Sequence, residues 1–176
     1  MSLLTDKYFP SKIEDLIGNS IPIQKCLEWL NDYKNNKIIK PGLLITGPPG
    51  IGKTSFAKLM LLSLNYEVIE YNASDIRNQK LLYENISKVI GKQSISNIMG
   101  GKSYLGIIMD EIDGMSIGDR GGINQLIKFI NPPQKKKSKD YIFINPIICI
   151  SNTDNEKKIK DVAKECLHIK FNKPSL

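Results

Sequence analysis

Apolar and polar positions follow two different periods along the chain, and together they predict an alternating order of strands and helices. Short apolar or alternating runs predict five β-strands, at about 43–47, 66–71, 105–109, 147–151 and 167–171. Segments of helical period predict five helices. The first begins at a cap formed by Asn19 and Ser20 and frays at 31–37, and the third runs from a cap formed by Ser74 and Asp75 to Val89. The other three lie at 53–64, 123–130 and 156–164. Because strands and helices alternate throughout, we expect an α/β domain in which helices cover both faces of a five-stranded parallel sheet.

The segment between the first strand and its helix matches the pattern G-x-x-x-x-G-K-[ST] at every required position. It consists of Gly47, Pro48, Pro49, Gly50, Ile51, Gly52, Lys53 and Thr54, and Ser55 continues into the helix. The glycines let successive backbone N–H groups point at one anion at a helix N-terminus. Lys53 can reach the β- and γ-phosphates, and the Thr54 hydroxyl can bind Mg²⁺. The motif predicts a P-loop NTPase that binds a nucleoside triphosphate.

Polar residues follow two of the other predicted strands. Asp110 and Glu111 end the apolar run at 105–109, and Asn152 follows the run at 147–151. If the first of these strands lies next to the phosphate-loop strand, Asp110 can hold the Mg²⁺ shell and Glu111 can polarise the attacking water. An acidic pair about 60 residues after a phosphate loop favours a hydrolysing ATPase over a small-molecule kinase. Asn152 is either a turn former or a side chain that hydrogen-bonds the γ-phosphate or the water.

Composition limits the remaining possibilities. The chain has 176 residues, which suits one domain, and no apolar run approaches the roughly 18 residues of a membrane span, so we expect no membrane partner. Three separated cysteines and a single histidine, His168, do not form a usual zinc motif and favour a reducing, intracellular location. We expect His168 to be a structural residue on the fifth strand. The net charge of +7 suits a polyanionic partner.

Several short motifs together resemble the clamp-loader branch of the AAA+ ATPases, whose nucleotide-binding core is RecA-like. Besides the phosphate loop they are Lys7–Pro10, Asp15–Asn19, Asn72–Asp75, Asp110–Gly114 and Ser151-Asn152. Two further segments are similar to the large-subunit group of the replication factor C family, namely Asp113–Met115 continuing into Asp119–Gly122, and Pro146–Ile150. The resemblance covers almost the whole chain.

The resemblance implies an ATP- and Mg²⁺-dependent machine that opens a ring-shaped sliding clamp and places it on primer–template DNA. It implies four small clamp-loader subunits as partners, and a location in the nucleus of a eukaryote or in the cytoplasm or virus factory of an archaeal or viral system. It also implies that the segment 1–20 lines the adenine pocket through Tyr8, Pro10, Ile17 and Gly18. Two rival interpretations remain, an alternative checkpoint or cohesion-type loader, and a P-loop protein that regulates partners without turnover. Asp119–Gly122 favours the replicative type.

The sequence departs from the family in two places. Where small subunits carry Ser-Arg-Cys, this chain has Lys164, Glu165 and Cys166, so it lacks the arginine finger. A large subunit also lacks it and receives one from its neighbour. Residues 1–176 are expected to form one nucleotide-binding core. The sequence ends with the segment 171–176, at the place where the family begins its helical lid and then its collar. The chain is either an excised core, which we favour, or an unusually short protein; in both cases we expect very slow hydrolysis.

Arginine usage suggests a DNA contact. Of the 25 basic residues only Arg77 and Arg120 are arginines, and in a lysine-rich chain arginine tends to remain where a flat bidentate group is needed. Arg77 and Lys80 lie at the start of the helix predicted after the second strand. Arg120 lies at the start of the helix predicted after the Asp110-Glu111 strand, and Lys128 lies further along that helix. In the resembled family the beginnings of these helices follow the template backbone through sequence-independent phosphate contacts. The resemblance therefore implies a DNA-binding set of these four residues; the alternative is that their charges are simply solvated.

A polar, glycine-containing segment at 91–101 is interrupted by Ile95, Ile98 and Met99. Their i, i+3, i+4 spacing would place them on one side of a helical turn as an apolar knob. In replicative large subunits a degenerate clamp-binding turn occupies this place, normally with aromatic residues at the last two positions. The resemblance implies that this knob binds the sliding clamp with modest affinity. The alternative is that the three side chains fold back onto their own core.

Overall fold

The computed structural model describes residues 10–37, 40–73, 84, 86, 104–115, 120–132 and 145–174. The helices in these ranges are α1 (Ser20–Lys34), α2 (Lys53–Ser63), α3 (Arg120–Ile130) and α4 (Lys157–Glu165). The strands are β1 (Gly42–Thr46), β2 (Tyr66–Asn72), β3 (Tyr104–Asp110), β4 (Ile147–Ser151) and β5 (Cys166–Lys170). Short 3-10 turns span Ile13–Asp15 and Ile112–Gly114. Residues 84 and 86 are helical, and the rest of the helix predicted from Ser74 to Val89 lies outside the described residues.

The five strands form one sheet in the order β2-β3-β4-β1-β5, and all neighbouring strands are parallel. This confirms the predicted five-stranded parallel sheet. β4 lies between β1 and β3, because Ile147 is paired with Gly42 on one side and with Ile107 on the other. The strand that ends in Asp110 is therefore not the direct neighbour of the phosphate-loop strand, which corrects the expectation from sequence. Strand order depends on how the chain crosses over the sheet, and hydrophobic periodicity does not record it.

Alternate strand residues face opposite sides of the sheet and build two separate cores. Leu44, Ile107 and Cys149 pack on one side against apolar residues of α3 and α4, such as Ile130 and Val162. The neighbouring strand positions pack on the other side against α1 and α2, and they include Leu43, Ile45, Ile108, Ile148 and Ile150. Every residue of β1 and β4 is buried, as expected for central strands covered on both faces. The predicted helices on both faces are thus confirmed.

Three predicted details differ in the structure. α1 does not fray at Asn31 but continues to Lys34, because Tyr33 is buried and its hydroxyl donates to the Asn145 carbonyl at 2.9 Å. Asn19 precedes α1 without a side-chain cap; its Nδ2 donates to the Asn172 carbonyl and its Oδ1 accepts from the Asn172 N–H. α3 begins at Arg120, three residues before the prediction, since the prediction started from the first apolar residue.

His168 lies on β5, as predicted, with Nε2 2.8 Å from the Thr46 Oγ1 on β1. Cys26, Cys149 and Cys166 are buried free thiols. Among the helices in the described ranges, none combines the length and the apolar character that crossing a bilayer would require.

Candidate functional site

The carboxyl ends of β1, β4 and β3 lie side by side, and each is followed by a polar segment named in the sequence analysis. The phosphate loop follows β1 and leads into α2, with Gly52 as the residue before the helix. Gly52 has φ of +84°, a left-handed conformation that residues with a β-carbon adopt with strain. Its conformation turns the chain directly into an 11-residue helix, whose N-terminus favours an anion.

Lys53 occupies the centre of this site, and its side chain folds back over the loop. The residue is 5% exposed. Its Nζ donates to the carbonyl oxygens of Gly47 and Pro48, both at 2.8 Å, and to Asn152 Oδ1 at 2.9 Å. An ammonium group has three hydrogens to donate, and all three are used here. Binding a phosphate therefore requires Lys53 to exchange at least one of these acceptors for a phosphate oxygen.

Burial lowers the pKa of Lys53 below its ordinary value of 10.5, because desolvation disfavours the charged form. The carboxylates of Asp110 and Asp113 act in the opposite direction and favour the charged ammonium. The site therefore surrounds a desolvated cation with two acidic groups, and an anionic ligand would further stabilise its charged form.

Thr54 and Asp110 meet across the loop. The Thr54 hydroxyl donates to Asp110 Oδ2 at 2.6 Å, while Asp110 Oδ1 accepts the Glu111 backbone N–H at 2.8 Å. A hydroxyl oxygen and a carboxylate oxygen at this separation are hard donors of the kind that Mg²⁺ selects. The residues present therefore fit a Mg²⁺ ion, with Thr54 and Asp110 as protein ligands and phosphate or water oxygens completing the shell.

Glu111 follows β3 in a left-handed conformation, with φ of +53° and ψ of +42°. A non-glycine residue rarely adopts this geometry, and such strain is concentrated at functional sites. Here it marks the point where the chain leaves β3 for the 3-10 turn Ile112–Gly114. The turn is closed by hydrogen bonds from the Gly114 N–H to the Glu111 carbonyl and from the Met115 N–H to the Ile112 carbonyl.

Asn152 lies between the phosphate loop and the carboxylate-bearing segment 110–113, because β4 is the strand between β1 and β3. Its side-chain oxygen accepts from Lys53, and its backbone N–H donates to Asp113 Oδ1 at 3.0 Å. The structure thus brings together Lys53, Thr54, Asp110 and Asn152 as expected from sequence. It adds Asp113, which belongs to the segment Asp110–Gly114 but was given no role in the sequence analysis.

The segment 10–19 lies beside the loop. Ile17, Gly18, Gly52 and Phe171 line a small pocket together with Leu16 and Ile51. Ile17 is 83% exposed and therefore forms the outer wall of this pocket. Pro10 is described at the start of the segment and is half-buried, whereas Tyr8 lies outside the described residues.

The residues predicted to contact DNA and the clamp are mostly outside the described part of the chain. Arg77, Lys80 and the knob of Ile95, Ile98 and Met99 lie there. Arg120 is the first residue of α3. Lys128 lies in the last turn of the same helix and is exposed.

A phosphate loop between a parallel strand and a helix, with a lysine, a hydroxyl and strand-end carboxylates converging on it, defines the chain as a P-loop NTPase. A family model described as "ATPase family associated with various cellular activities (AAA)" matches residues 43–174. The chain belongs to this AAA family.

The chain is similar to replication factor C subunits. It is 40% identical to replication factor C subunit 1 of Schizosaccharomyces pombe and 34% identical to that of Saccharomyces cerevisiae, over 97% and 98% of this chain but only 19% and 21% of those proteins. It is 34% identical to the replication factor C large subunit of Methanococcus aeolicus, over 94% of this chain and 32% of that protein. The chain thus spans between a fifth and a third of the length of these relatives.

Solved structures agree with the fold. The Thermotoga maritima RuvB Holliday junction branch migration motor superposes with a TM-score of 0.62 at 14% identity, over 93% of this chain and 48% of that one. Caenorhabditis elegans PCH-2 superposes with a TM-score of 0.64 at 20% identity, over 95% of this chain and 47% of that one. At these identities the likeness concerns the architecture alone.

Proposed function

We propose that this chain is the ATP-binding core of the large subunit of a sliding-clamp loader, which uses ATP binding and hydrolysis to open a ring-shaped clamp and load it on primer–template DNA during replication. The observation that supports the ATPase most directly is the convergence of Lys53, Thr54, Asp110 and Asn152 at the ends of three adjacent strands. The similarity to replication factor C subunit 1 over nearly the whole chain supports the loader assignment.

Each residue has a defined task in this proposal. Lys53 binds the β- and γ-phosphates, and Thr54 and Asp110 hold Mg²⁺, which neutralises phosphate charge and orients the γ-phosphate when bound. Glu111 accepts a proton from the attacking water, and Asn152 hydrogen-bonds the γ-phosphate or that water. The loop from Gly47 to Gly52 surrounds the phosphates with its backbone N–H groups, and Ser55 stands in the first turn of α2. Tyr8, Pro10, Ile17 and Gly18 contact the adenine.

The neighbouring small subunit completes the site in this proposal. At the position of the family's arginine finger, Glu165 accepts a hydrogen bond from Asn131 Nδ2 at 2.8 Å. A carboxylate there cannot stabilise the negative charge that develops on a transferred phosphate. The chain therefore receives a finger from a neighbour and offers none, and its hydrolysis without partners is very slow. We place the working complex inside the cell, in the nucleus for a eukaryotic source.

Clamp binding is the most direct test of the loader assignment. The chain should capture the sliding clamp and four small loader subunits of its own organism in a pull-down. Changing Ile95, Ile98 and Met99 together to serine should reduce clamp capture while nucleotide affinity and melting temperature are unchanged, because an exposed knob contributes to docking and not to the core. Leu62→Ser, at an exposed apolar position of α2, is the matched control. A lower melting temperature of the triple variant would show that the knob is core.

The proposed contacts of Arg77 and Arg120 with DNA phosphates lead to a separate prediction about the salt dependence of DNA binding. In the assembled loader, Arg77→Ala with Arg120→Ala should weaken DNA-stimulated ATPase and lower the slope of log K against log salt by about 2, since each lost phosphate contact removes roughly 0.9. Lys160→Ala, an exposed position of α4, is the control. The comparison of salt slopes decides the assignment, because an unchanged slope in the double variant excludes phosphate contacts from both arginines. Lys80 and Lys128 belong to the same proposed set and are expected to add smaller, similar effects.

A further inference from the structure

Lys158 differs from the other lysines of α4. Lys157, Lys160 and Lys164 are exposed, as expected for long charged side chains on a helix surface. The Lys158 side chain is only 15% exposed. A lysine that is this far buried needs acceptors for its ammonium group, because an unpaired buried charge is strongly unfavourable.

The acceptors of Lys158 lie on the turn that follows the Asp110-Glu111 pair. Its Nζ donates to the carbonyl oxygen of Asp113 and, at 2.8 Å, to that of Met115. The third partner is the Glu156 carboxylate, 3.0 Å away. All three ammonium hydrogens are used, two of them at the end of the 3-10 turn Ile112–Gly114. Lys158 therefore fastens this turn to the beginning of α4.

Asp113 connects the fastened turn to the phosphate site. Its carbonyl accepts from Lys158, while its Oδ1 accepts the Asn152 backbone N–H at 3.0 Å. The Asn152 side chain in turn accepts from Lys53. The same turn begins at Glu111, whose carbonyl accepts the Gly114 N–H at 2.9 Å. Contacts thus run without a gap from α4 through the turn to both residues proposed to act at the γ-phosphate.

We propose that Lys158 and Asp113 are positioning residues of the ATPase site. They hold the segment 111–115 and the Asn152 backbone in one arrangement, and so set where the Glu111 carboxylate and the Asn152 amide stand relative to a bound γ-phosphate. This inference rests on the proposed ATPase function. Neither residue touches the nucleotide; both act through Asn152 and Glu111.

Loss of the Lys158 ammonium leaves two turn carbonyls without this donor and removes these hydrogen bonds between the turn and α4. The phosphate loop, Thr54 and Asp110 keep their own hydrogen bonds. Binding of MgADP should therefore persist, whereas the alignment needed for hydrolysis should not, because reaction rates respond steeply to small displacements.

The first test reads the arrangement directly and needs no activity. In amide-resolved NMR spectra of the chain, Lys158→Met should move the Asn152 backbone N–H signal more than Lys160→Met moves it. Asp113→Leu should move it in the same direction, while Asp113→Asn, which keeps an acceptor oxygen, should leave it near the wild-type position. The proposal is overturned if Lys158→Met moves the Asn152 signal no more than Lys160→Met does.

The second test measures single-turnover hydrolysis of labelled MgATP with the chain in excess. Lys158→Met and Asp113→Leu should slow the Lys53-dependent rate by about tenfold or more, whereas the MgADP dissociation constant should stay within about twofold. Asp113→Asn and Lys160→Met should retain the rate. A parallel loss of nucleotide affinity, melting temperature and rate in Lys158→Met would show a merely structural role and overturn the proposal. If the wild-type chain neither binds MgATP nor shows any Lys53-dependent hydrolysis, the proposed function fails, and the NMR test still decides the positioning role.

Discussion

Replacing Lys53 by methionine should weaken MgATP binding by roughly ten- to hundredfold while the chain stays folded. Methionine keeps the length of the side chain and removes the ammonium that would face the phosphates. A hydrogen bond to a charged group contributes about 1.5–3 kcal/mol, which corresponds to this loss of affinity. Folding should tolerate the change because burial already disfavours the charged form of Lys53, as its lowered pKa shows.

A fluorescent nucleotide titration measures this effect, with thermal unfolding as a check on the fold. Lys58→Met is the matched control, because Lys58 lies on the same helix, pairs with Glu70 at 2.5 Å and has a side chain that is 34% exposed. The control should bind nucleotide as the wild type does. Wild-type affinity in Lys53→Met would mean that the triphosphate binds elsewhere on the chain.

The lowered pKa of Lys53 also predicts how nucleotide affinity depends on pH. In the ligand-free chain Lys53 loses its proton below the ordinary value of 10.5. A phosphate favours the charged form, so nucleotide affinity should fall as pH rises through this lowered pKa. The affinity of Lys53→Arg should show no such fall, because the guanidinium stays charged over the whole range.

The fold and much of the site follow from sequence because they depend on local patterns. Two-residue periodicity and fully apolar runs located all five strands, and the spacing of glycines, Lys53 and Thr54 located the loop that Asp110 meets in space. These signals are local, since one strand or one turn needs only its own residues to be recognised.

The remainder depends on contacts between distant segments. Nothing local places β4 between β1 and β3, and nothing in the cap pattern of Asn19 shows that its amide binds the Asn172 backbone. Lys158 is one of many lysines in sequence and becomes distinctive only when its donors meet the carbonyls of a turn 43 to 45 positions earlier. Such partners have no signature in either segment alone.

Gly47→Ala should destabilise the chain far more than Gly50→Ala. Both glycines have positive φ, +152° and +75°, so each substitution carries backbone strain of about 1–2 kcal/mol. The two positions differ in the space available for an added β-carbon. A β-carbon on Gly47 would lie 2.3 Å from the Phe171 carbonyl oxygen and 3.0 Å from Ile51 Cδ1, whereas one on Gly50 would meet nothing within 4 Å.

The Phe171 carbonyl cannot easily retreat from an added methyl group. The Phe171 N–H donates to the Thr46 carbonyl at 2.7 Å, and the next residue, Asn172, is held through both its N–H and its carbonyl by the Asn19 side chain. Overpacking against fixed backbone costs about 1–3 kcal/mol beyond the strain. Urea unfolding of both variants at unchanged m-value should therefore show this extra loss in Gly47→Ala alone. Equal destabilisation of the two variants would mean that the segment after β5 moves away from the added methyl group. In that case the Asn19 hydrogen bonds would not fix the position of Phe171 beside the phosphate loop.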